Sequence, residues 1–500
     1  MQRRTLLRSL TAGAAAFAAD ALAPANRSGL RALAAASEGV PMVPEPLRAK
    51  SVLEVFLCGG VSQYESLYCV PEHGRTDNTH WHLFANSSEL AAALEACGIS
   101  EPALEPFAED ALGQTVHLGP FVAPLRRRPD LVQRLRVSMT KHDLAPHEAA
   151  IPLALSGRSL GSPRVAGLGA HILQHFSGVE GGAAGPLAYV LTSSSMNTVF
   201  IDNLRALTAT GLYSALARPI EIQVEGAADF IQRLGRPSVG ALHAEVDELI
   251  ASYADAYASE LSWPATGTLV RSPRFQDFRA ASAVMTRTGT LREMFDAEGF
   301  VPKAGESCGE TVEVDSVAMQ FGVAARLLTH ASHPARYVCV VDTGFVPNAN
   351  GGGAYDSHTD NVGIQARNLT HTLAELGRWV RAPGEVDPNK IDLDSTLVLL
   401  TTEFGRTPHA EGVSGRNHWP YGYAQALLGG PIRTPGVSGA CDSSARAAVA
   451  ATPAESRIAA MLALGIWPFG PESFSVADVP GATSETDAAH RVLQEQLGIS

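Results

Sequence analysis

Long apolar runs and clusters of basic residues are both scarce in this chain. The formal net charge of its 500 residues is −13, and no stripe of Lys and Arg is visible. This balance argues against a nucleic-acid groove or an anionic membrane surface as the main partner, because both reward clustered positive charge. Beyond the N-terminal region, no stretch is long and apolar enough to span a bilayer. With 45% hydrophobic and 18% charged residues, the composition predicts a folded globular protein.

Cysteine is also sparse, and no C-x-x-C spacing occurs, which excludes a zinc ribbon or a dithiol redox motif. Cys69 with Cys97 is the one pair that merits a test as a disulfide. Cys58 and Cys339 lie inside apolar runs and are expected to be core residues. The six cysteines are Cys58, Cys69, Cys97, Cys308, Cys339 and Cys441.

Three common catalytic signatures are missing. The sequence GGVS at 59–62 lacks the lysine of a phosphate-binding P-loop, and GLGA at 167–170 is too short for a dinucleotide fingerprint. No G-x-S-x-G nucleophile elbow is present. The chemistry therefore has to come from another arrangement of residues.

The first 36 residues have the composition of an export signal. Arg3 and Arg4 precede an apolar stretch from Leu6 to Ala19, and small residues follow, with cleavage expected after Ala23 or Ala36. This pattern predicts a twin-arginine signal peptide, passage through the twin-arginine translocase, and a periplasmic or extracellular location. The alternative is an N-terminal membrane anchor, but the run is shorter than the roughly 20 residues that a span needs.

Three apolar, β-branched runs predict strands: 51–57, 335–342 and 396–403. Each lies beside a segment of helical periodicity, such as 315–331 and 361–380. Near-continuous apolar strands that alternate with helices indicate an α/β fold with a mixed, mostly parallel sheet covered on both faces. We expect residues 37–500 to form one domain, with a helical insertion at about 200–330 that includes 241–261 and 274–296.

Polar residues of an unusual kind follow each predicted strand. Carboxylates and imidazoles that converge from several strand ends are what a divalent metal site requires. Taken singly, each has a plainer explanation; Glu403 with Arg406, for example, can be a salt bridge that fixes a loop. The residues concerned are Ser62, Glu65, Asp356, His358, Glu403, Arg406, Arg416, Asn417 and His418, and a further segment offers His142 and His147.

Several stretches resemble one bacterial family. FLCGGVSQYESL, KHDLAPHEAAIPLALSGR, GGGAYDSHTDN, TLVLLTTEFGRTPHAEGVSGRNHWP, LLGGPIRTPGVSGACD and TPAESRIAAMLALGI occur in order between about residues 50 and 470. Together they resemble the family known as domain of unknown function 1501, which is grouped with the alkaline phosphatase and sulfatase superfamily. The resemblance implies a three-layer α/β sandwich, and a hydrolase ancestry with two metals at the strand ends.

The match to the motifs of that superfamily is partial. Glu403 is similar to the carboxylate of a strand that usually ends in Asp-His-Gly, while Phe404 stands where a histidine ligand is expected. Asp356 and His358 correspond to the acid and imidazole of the family's Gly-Gly-Trp-Asp-Thr-His. The sequence departs from the pattern at three further positions. Asn417 and Glu65 stand where the family usually has Asp, and Cys58 lies near the position from which many superfamily hydrolases supply a metal-binding Asp.

These departures favour one metal over two. The resemblance implies a site of Asp356, His358 and His418, with Glu403 and Glu65 nearby. Two imidazoles and a carboxylate favour zinc, with manganese, calcium or iron as alternatives.

The resulting functional expectation is an exported metal-dependent hydrolase of phosphate or sulfate esters. Its substrate would be a small anionic ester or a carbohydrate, held by Arg406 and Arg416, and attacked by Ser62 or by a metal-bound water. The alternative is a secreted or cell-surface binding protein that keeps the fold without catalysis.

Overall fold

The computed structural model describes residues 40–74, 87–159, 162, 166–179, 189–194, 219–226, 301–346, 355–470 and 473–500, together with single residues between 245 and 256. The predicted signal at 1–36 lies outside the described residues, as do the predicted helix at 274–296 and most of the one at 241–261.

Strands of the described residues are numbered here in chain order. They are β1 (Ser51–Leu57), β2 (Glu105–Glu109), β3 (Thr115–Leu118), β4 (Leu135–Thr140), β5 (Tyr189–Ser193), β6 (Ile220–Gln223), β7 (Gly305–Ser307), β8 (Glu310–Val312), β9 (Tyr337–Asp342), β10 (Thr396–Thr401), β11 (Gly405–Arg406), β12 (His418–Trp419), β13 (Tyr423–Gly429), β14 (Gly436–Ser438), β15 (Ala440–Cys441) and β16 (Ala447–Val449).

The α-helices of the described residues are numbered in the same way. They are α1 (Ser87–Ala96), α2 (Ala123–Arg126), α3 (Pro129–Val132), α4 (His147–Ser156), α5 (Leu168–Val179), α6 (Ser316–Thr329), α7 (Asn361–Trp379), α8 (Pro453–Ala463) and α9 (Glu485–Leu497).

An eight-stranded mixed sheet with the order β14-β4-β13-β10-β1-β9-β5-β6 forms the centre of the molecule. All neighbouring pairs are parallel except those of β13, which runs antiparallel to both β10 and β4. The three predicted strands are β1, β9 and β10, and two of the predicted helices are α6 and α7. The prediction of an α/β fold with a mixed, mostly parallel sheet is therefore confirmed.

Alternation along β1 divides its side chains between two cores, because successive residues of a strand point to opposite faces. Leu53 and Val55 belong to one apolar cluster, which also contains residues of α6 and α7. Val52 and Phe56 belong to a second cluster, with residues of α4, α5, α8 and α9. Helices thus cover both faces of the sheet.

Both ends of the predicted helical insertion, 200–330, contribute to this central unit. Strand β6 pairs with β5 in the main sheet, and α6 supplies Phe321 and Leu327 to the first core cluster. Most of the range between them lies outside the described residues.

Cys69 and Cys97, the pair that the sequence singles out for a test, are not bonded to each other. Cys97, just after α1, is bonded to Cys308 in the turn between β7 and β8, which is 211 residues away in the chain. Cys69 is a buried free thiol, as are Cys58 and Cys339, which lie in the core as predicted. Pairing over such a sequence separation cannot be read from spacing.

Candidate metal site

The carboxyl ends of four strands lie at one edge of the sheet. β1, β9 and β10 are mutually parallel neighbours, and β4 points in the same direction because both β4 and β10 run antiparallel to β13. Segments that leave these four ends therefore meet. They carry the candidate residues, as expected for ligand sites in open α/β sheets.

Three of these residues form a compact group. One ligand atom from each of His147, Asp356 and His418 lies within 4.8 Å of the others. The Oδ1 atom of Asp356 is 3.5 Å from Nε2 of His147 and 3.4 Å from Nε2 of His418. His147 is the first residue of α4, Asp356 lies between β9 and α7, and His418 lies in β12. These three residues are a cluster that can hold a metal ion.

His358 lies beside this group. Its Nε2 atom is 2.9 Å from Oδ1 of Asp356 and 3.1 Å from Nε2 of His418. Its Nδ1 atom is 2.6 Å from Oε2 of Glu411, a carboxylate that the sequence did not single out. The structure therefore brings His358 and His418 together as expected, but the compact group contains His147 in place of His358.

Every imidazole of the site has its second ring nitrogen fixed. Nδ1 of His147 is 2.8 Å from Oε1 of Glu403, and Nδ1 of His418 is 2.8 Å from the carbonyl oxygen of Ala145. Since a carbonyl or carboxylate only accepts, Nδ1 carries the proton in each ring, and Nε2 faces the cluster. Such partners are what orients histidine ligands in metal sites.

Burial and the contacts with neighbouring polar groups shift the pKa values of His147 and Asp356 in opposite directions. Burial would lower the pKa of His147, but its hydrogen bonds to Asp356 and Glu403 outweigh burial and raise that pKa to about 9. Burial would raise the pKa of Asp356, but the neighbouring side chains of His147 and His418, together with Arg406, bring it well below its usual range. The Asp356 carboxyl group is therefore ionised, and a metal ion would have to displace a proton from His147.

Arg406 forms a buried ion pair with the carboxylate of Asp356. Its side chain is fully buried, and Nη2 donates to Oδ1 of Asp356 at 2.7 Å. The other donors bind backbone carbonyls of Gly59, Gly60 and Arg416. The predicted role of Arg406 as a clamp for a substrate anion does not fit this arrangement, because its guanidinium group is already engaged.

The two glycines of the CGG sequence make this arrangement possible. Gly59 and Gly60 have φ values of +117° and +91°, a region that favours glycine. A Cβ atom on Gly59 would lie 2.4 Å from the amide nitrogen of Asp356, and one on Gly60 would lie 2.7 Å from the ring of Phe404. The backbone can therefore approach closely enough for Gly59 to donate to Oε1 of Glu403 at 2.8 Å.

Glu65, Ser62 and Arg416 form a separate buried group. Nη2 of Arg416 is 2.5 Å from Oε1 of Glu65, and both side chains are fully buried. Ser62 donates its hydroxyl to Oε2 of Glu65 and is 1% exposed. Glu65 is thus engaged by an arginine and not by the cluster, so its assignment as a metal ligand is not supported. Neither Ser62 as nucleophile nor Arg416 as anion clamp fits this burial.

Phe404 and Cys58 stand at or near two positions for which the sequence resemblance implies metal ligands. Phe404 is fully buried and its ring stacks on that of His418, with centroids 4.4 Å apart. Burial, reinforced by the charge of Glu403, raises the pKa of the Cys58 thiol, so the thiol stays protonated. Both side chains are buried, and neither belongs to the compact group of His147, Asp356 and His418.

The two remaining candidates, His142 and Asn417, support the loops of the site. Nε2 of His142 is 2.7 Å from the backbone oxygen of Glu403, and Nδ1 accepts from the amide of Leu144. Asn417 donates to Oε1 of Glu411 at 3.2 Å and accepts from the amide of His418. Neither side chain reaches the compact group.

The sequence offers His142 and His147 together from one segment, and does not indicate that only His147 joins the compact group. In the structure Pro146 is the residue before α4, so His147 begins the helix and His142 belongs to the preceding loop. A proline directly before an apolar helical run was the available signal for a helix start.

The similarity of this chain to known proteins covers only part of its length. A search of curated proteins gives no match to this chain. Residues 243–463 match the model of a family described as a protein of unknown function (DUF1501). That range contains Asp356, Glu403 and His418 but begins after His147. The match covers less than half of the chain, and it shows that residues 243–463 are similar to this family.

Proposed function

We propose that the chain is an exported, metal-dependent hydrolase of phosphate or sulfate esters, on an alkaline phosphatase-like fold. The observation that carries the proposal is the convergence of His147, Asp356 and His418 within 4.8 Å. Around a tetrahedral zinc ion with bonds of 2.0–2.1 Å, neighbouring ligand atoms would lie about 3.3 Å apart. The observed separations of 3.4 and 3.5 Å from Oδ1 of Asp356 agree with that geometry.

The donor set fits zinc better than a hard cation. Two neutral imidazoles and one carboxylate are a common catalytic zinc set, while calcium and magnesium prefer oxygen ligands throughout. Manganese and iron also accept these ligands. A divalent ion held there by His147, Asp356 and His418 would supply Lewis acidity and would lower the pKa of a water molecule bound to it.

His358 is assigned to proton transfer. It is the most exposed imidazole of the site, with 30% of its side chain accessible, compared with 17% for His418 and 12% for His147. Glu411 holds its Nδ1 atom and leaves Nε2 directed at Asp356. A carboxylate that orients an imidazole in this way prepares the ring to take a proton from an attacking water or give one to a leaving group.

Water is the proposed nucleophile, since Ser62 is buried and bonded to Glu65. Because Arg406 and Arg416 are already engaged, the negative charge of the ester must be met elsewhere. Helix α4 begins at His147, and its N-terminus has no capping side chain in the described part of the chain. The free amide groups and dipole of a helix start favour an anion at this position.

Export through the twin-arginine route is part of the proposal. The disulfide between Cys97 and Cys308 supports it, because disulfides persist in oxidising compartments such as the periplasm. Among the residues that the structure describes, no helix has the length and hydropathy needed to cross a bilayer.

A second candidate function is a non-catalytic secreted binding protein on the same scaffold. Two observations favour it: Arg406 already occupies Oδ1 of Asp356, and Phe404 replaces a ligand in the resemblance. In that case the guanidinium group would stand where the metal's charge is otherwise needed.

The test is a hydrolysis assay with aryl phosphates, phosphodiesters and aryl sulfates, after chelation and reloading with zinc, manganese, calcium or iron. We expect metal-dependent hydrolysis of at least one ester class. His358→Gln should lower kcat by about a hundredfold, the usual contribution of general acid–base catalysis, without changing metal content. His490→Gln, at an exposed helical position, is the control. Stoichiometric metal without hydrolysis of any ester would favour the binding protein.

A further inference from the structure

A surface of stacked aromatic and basic side chains begins one residue after His418. Trp419 and Tyr421 lie with ring centroids 5.1 Å apart in an edge-to-face arrangement. The Arg446 guanidinium carbon lies 4.3 Å from the ring centroid of Tyr421 and 5.2 Å from that of Trp419. We call Trp419, Tyr421, Arg446 and Lys141 the aromatic–basic surface.

Hydrogen bonds to backbone carbonyl groups hold the residues of this surface in place. The indole nitrogen of Trp419 donates to the carbonyl oxygen of Ala445 at 2.8 Å, which fixes the ring beside Arg446. The amide of Ala447 donates to the carbonyl oxygen of Tyr421 at 2.9 Å. Lys141 donates its ammonium group to the carbonyl oxygen of the same Ala447 at 3.3 Å. Three separate segments of the chain are thus held together here by hydrogen bonds.

The surface is accessible to solvent, and its positive charges have no acidic partner among the residues that the structure describes. Tyr421 is 37% exposed, and Arg446 and Lys141 are both exposed. Within the described part of the chain, neither Arg446 nor Lys141 forms an ion pair, although the protein carries a net charge of −13. A guanidinium group stacked on an aromatic ring keeps its N–H edges available for an anion. These two cations lie beside aromatic rings and form no ion pair in the described residues. Together they favour a ligand that has both negative charge and apolar surface.

We propose that the aromatic–basic surface binds an anionic polysaccharide. Aromatic rings accept the apolar face of a sugar ring, and Arg446 and Lys141 pair with its sulfate or phosphate groups. The surface and the candidate metal site share two segments of the chain: Trp419 follows His418 in β12, and the amide of His142 donates to the carbonyl oxygen of Pro420 at 3.0 Å.

The test measures the affinity of the full chain for dextran sulfate, dextran and polyglutamate by titration calorimetry, with and without chelator. Dextran sulfate should bind at least about tenfold more tightly than dextran, since the charged pairs contribute most of the affinity. It should also bind more tightly than polyglutamate, which has the charge but no sugar rings. Binding does not depend on the metal, so the result is separate from that of the hydrolysis assay.

Three variants assign the binding to these residues. Arg446→Gln should weaken dextran sulfate binding about fivefold or more, the loss expected for one charge-assisted contact. Arg378→Gln is the matched control, because Arg378 is also exposed and stacks on a tryptophan, Trp379, but pairs with Glu375. Tyr421→Ser should weaken binding of dextran sulfate and leave that of polyglutamate unchanged.

The melting temperature of each variant establishes that it is folded. The proposal is overturned if dextran sulfate does not bind, if polyglutamate binds equally well, or if Arg446→Gln and Arg378→Gln have the same effect. Binding of dextran as tight as that of dextran sulfate would also overturn it, because the cations would then have no role.

Discussion

Two buried pairs of arginine and carboxylate lie in segments that leave the same edge of the sheet, and only one of them is surrounded by imidazoles. Asp356 with Arg406 is 2.7 Å apart, and Glu65 with Arg416 is 2.5 Å apart. Both arginines are fully buried. Asp356 lies near three imidazole nitrogens, whereas the remaining carboxylate oxygen of Glu65 accepts from Ser62.

The difference shows what turns a buried ion pair into a candidate site. Hydroxyl and guanidinium donors fully satisfy Glu65, so that pair holds two loops together. At Asp356 the neighbouring groups are imidazoles whose Nε2 atoms face the carboxylate while their Nδ1 atoms are held elsewhere. The first arrangement has no place for a ligand. The second directs several ring nitrogens, each of which can bind a metal once it carries no proton, towards a single point.

The largest expected effect is that of removing the carboxylate from the imidazole cluster. Asp356→Asn keeps the shape of the side chain and an acceptor for Arg406, but removes an anionic metal ligand. We expect zinc affinity to fall by on the order of a thousandfold. Titration of chelated protein with zinc measures the change, and unchanged affinity would show that Asp356 is not a ligand.

The corresponding change in the other pair should affect folding and not metal. Glu65→Gln leaves Arg416 buried without its counter-charge, a loss that typically costs about 3 kcal/mol or more of unfolding free energy. Urea denaturation measures this cost. Zinc affinity of the folded variant should equal that of the unchanged protein; a loss as large as that of Asp356→Asn would mean that both pairs belong to one site.

Glu403 and Glu411 each orient an imidazole of the site, and replacing them should change zinc affinity to different extents. Glu403→Gln disturbs the hydrogen bond to Nδ1 of His147 and should lower zinc affinity by about ten- to a hundredfold, as is typical of such partners. Glu411→Gln acts on His358 and should reduce hydrolysis while zinc affinity stays within about twofold. Equal effects of the two variants on zinc affinity would make His358 a ligand.

A smaller effect is expected far from both pairs, at Glu455 in the first turn of α8. Burial, with the nearby charge of Glu495, raises the pKa of Glu455 to about 7. The folded protein therefore holds this proton more tightly than the unfolded chain, and the stabilisation is lost as the pH rises towards 7. Between pH 5 and 7.5 the unfolding free energy should fall by about 2 kcal/mol more in the unchanged protein than in Glu455→Gln.

Urea denaturation over that pH range, at constant ionic strength, measures the difference. Gln retains the capping hydrogen bond with the amide of Thr452, so the helix start is preserved. Parallel pH dependence in the two proteins would contradict the raised pKa.

The sequence predicts the elements that have strong periodicity and the edge at which polar residues gather. It identified β1, β9, β10, α6 and α7, and it placed Asp356 and His418 together. It did not separate Glu65 from Asp356, because the distinction depends on which loops cross between strand ends. The sequence also did not indicate that His147 joins Asp356 and His418. His147 follows β4, and β4 is placed beside the other strands through two antiparallel pairings that no local sequence pattern specifies.

The central claim is that His147, Asp356 and His418 bind one metal ion. Crystals of the mature protein grown with zinc and measured at the zinc absorption edge test it directly. We predict a single anomalous peak about 2 Å from the Nε2 atoms of both histidines and from an Asp356 oxygen. Absence of a peak at these atoms, or a peak only at Glu65, would contradict it.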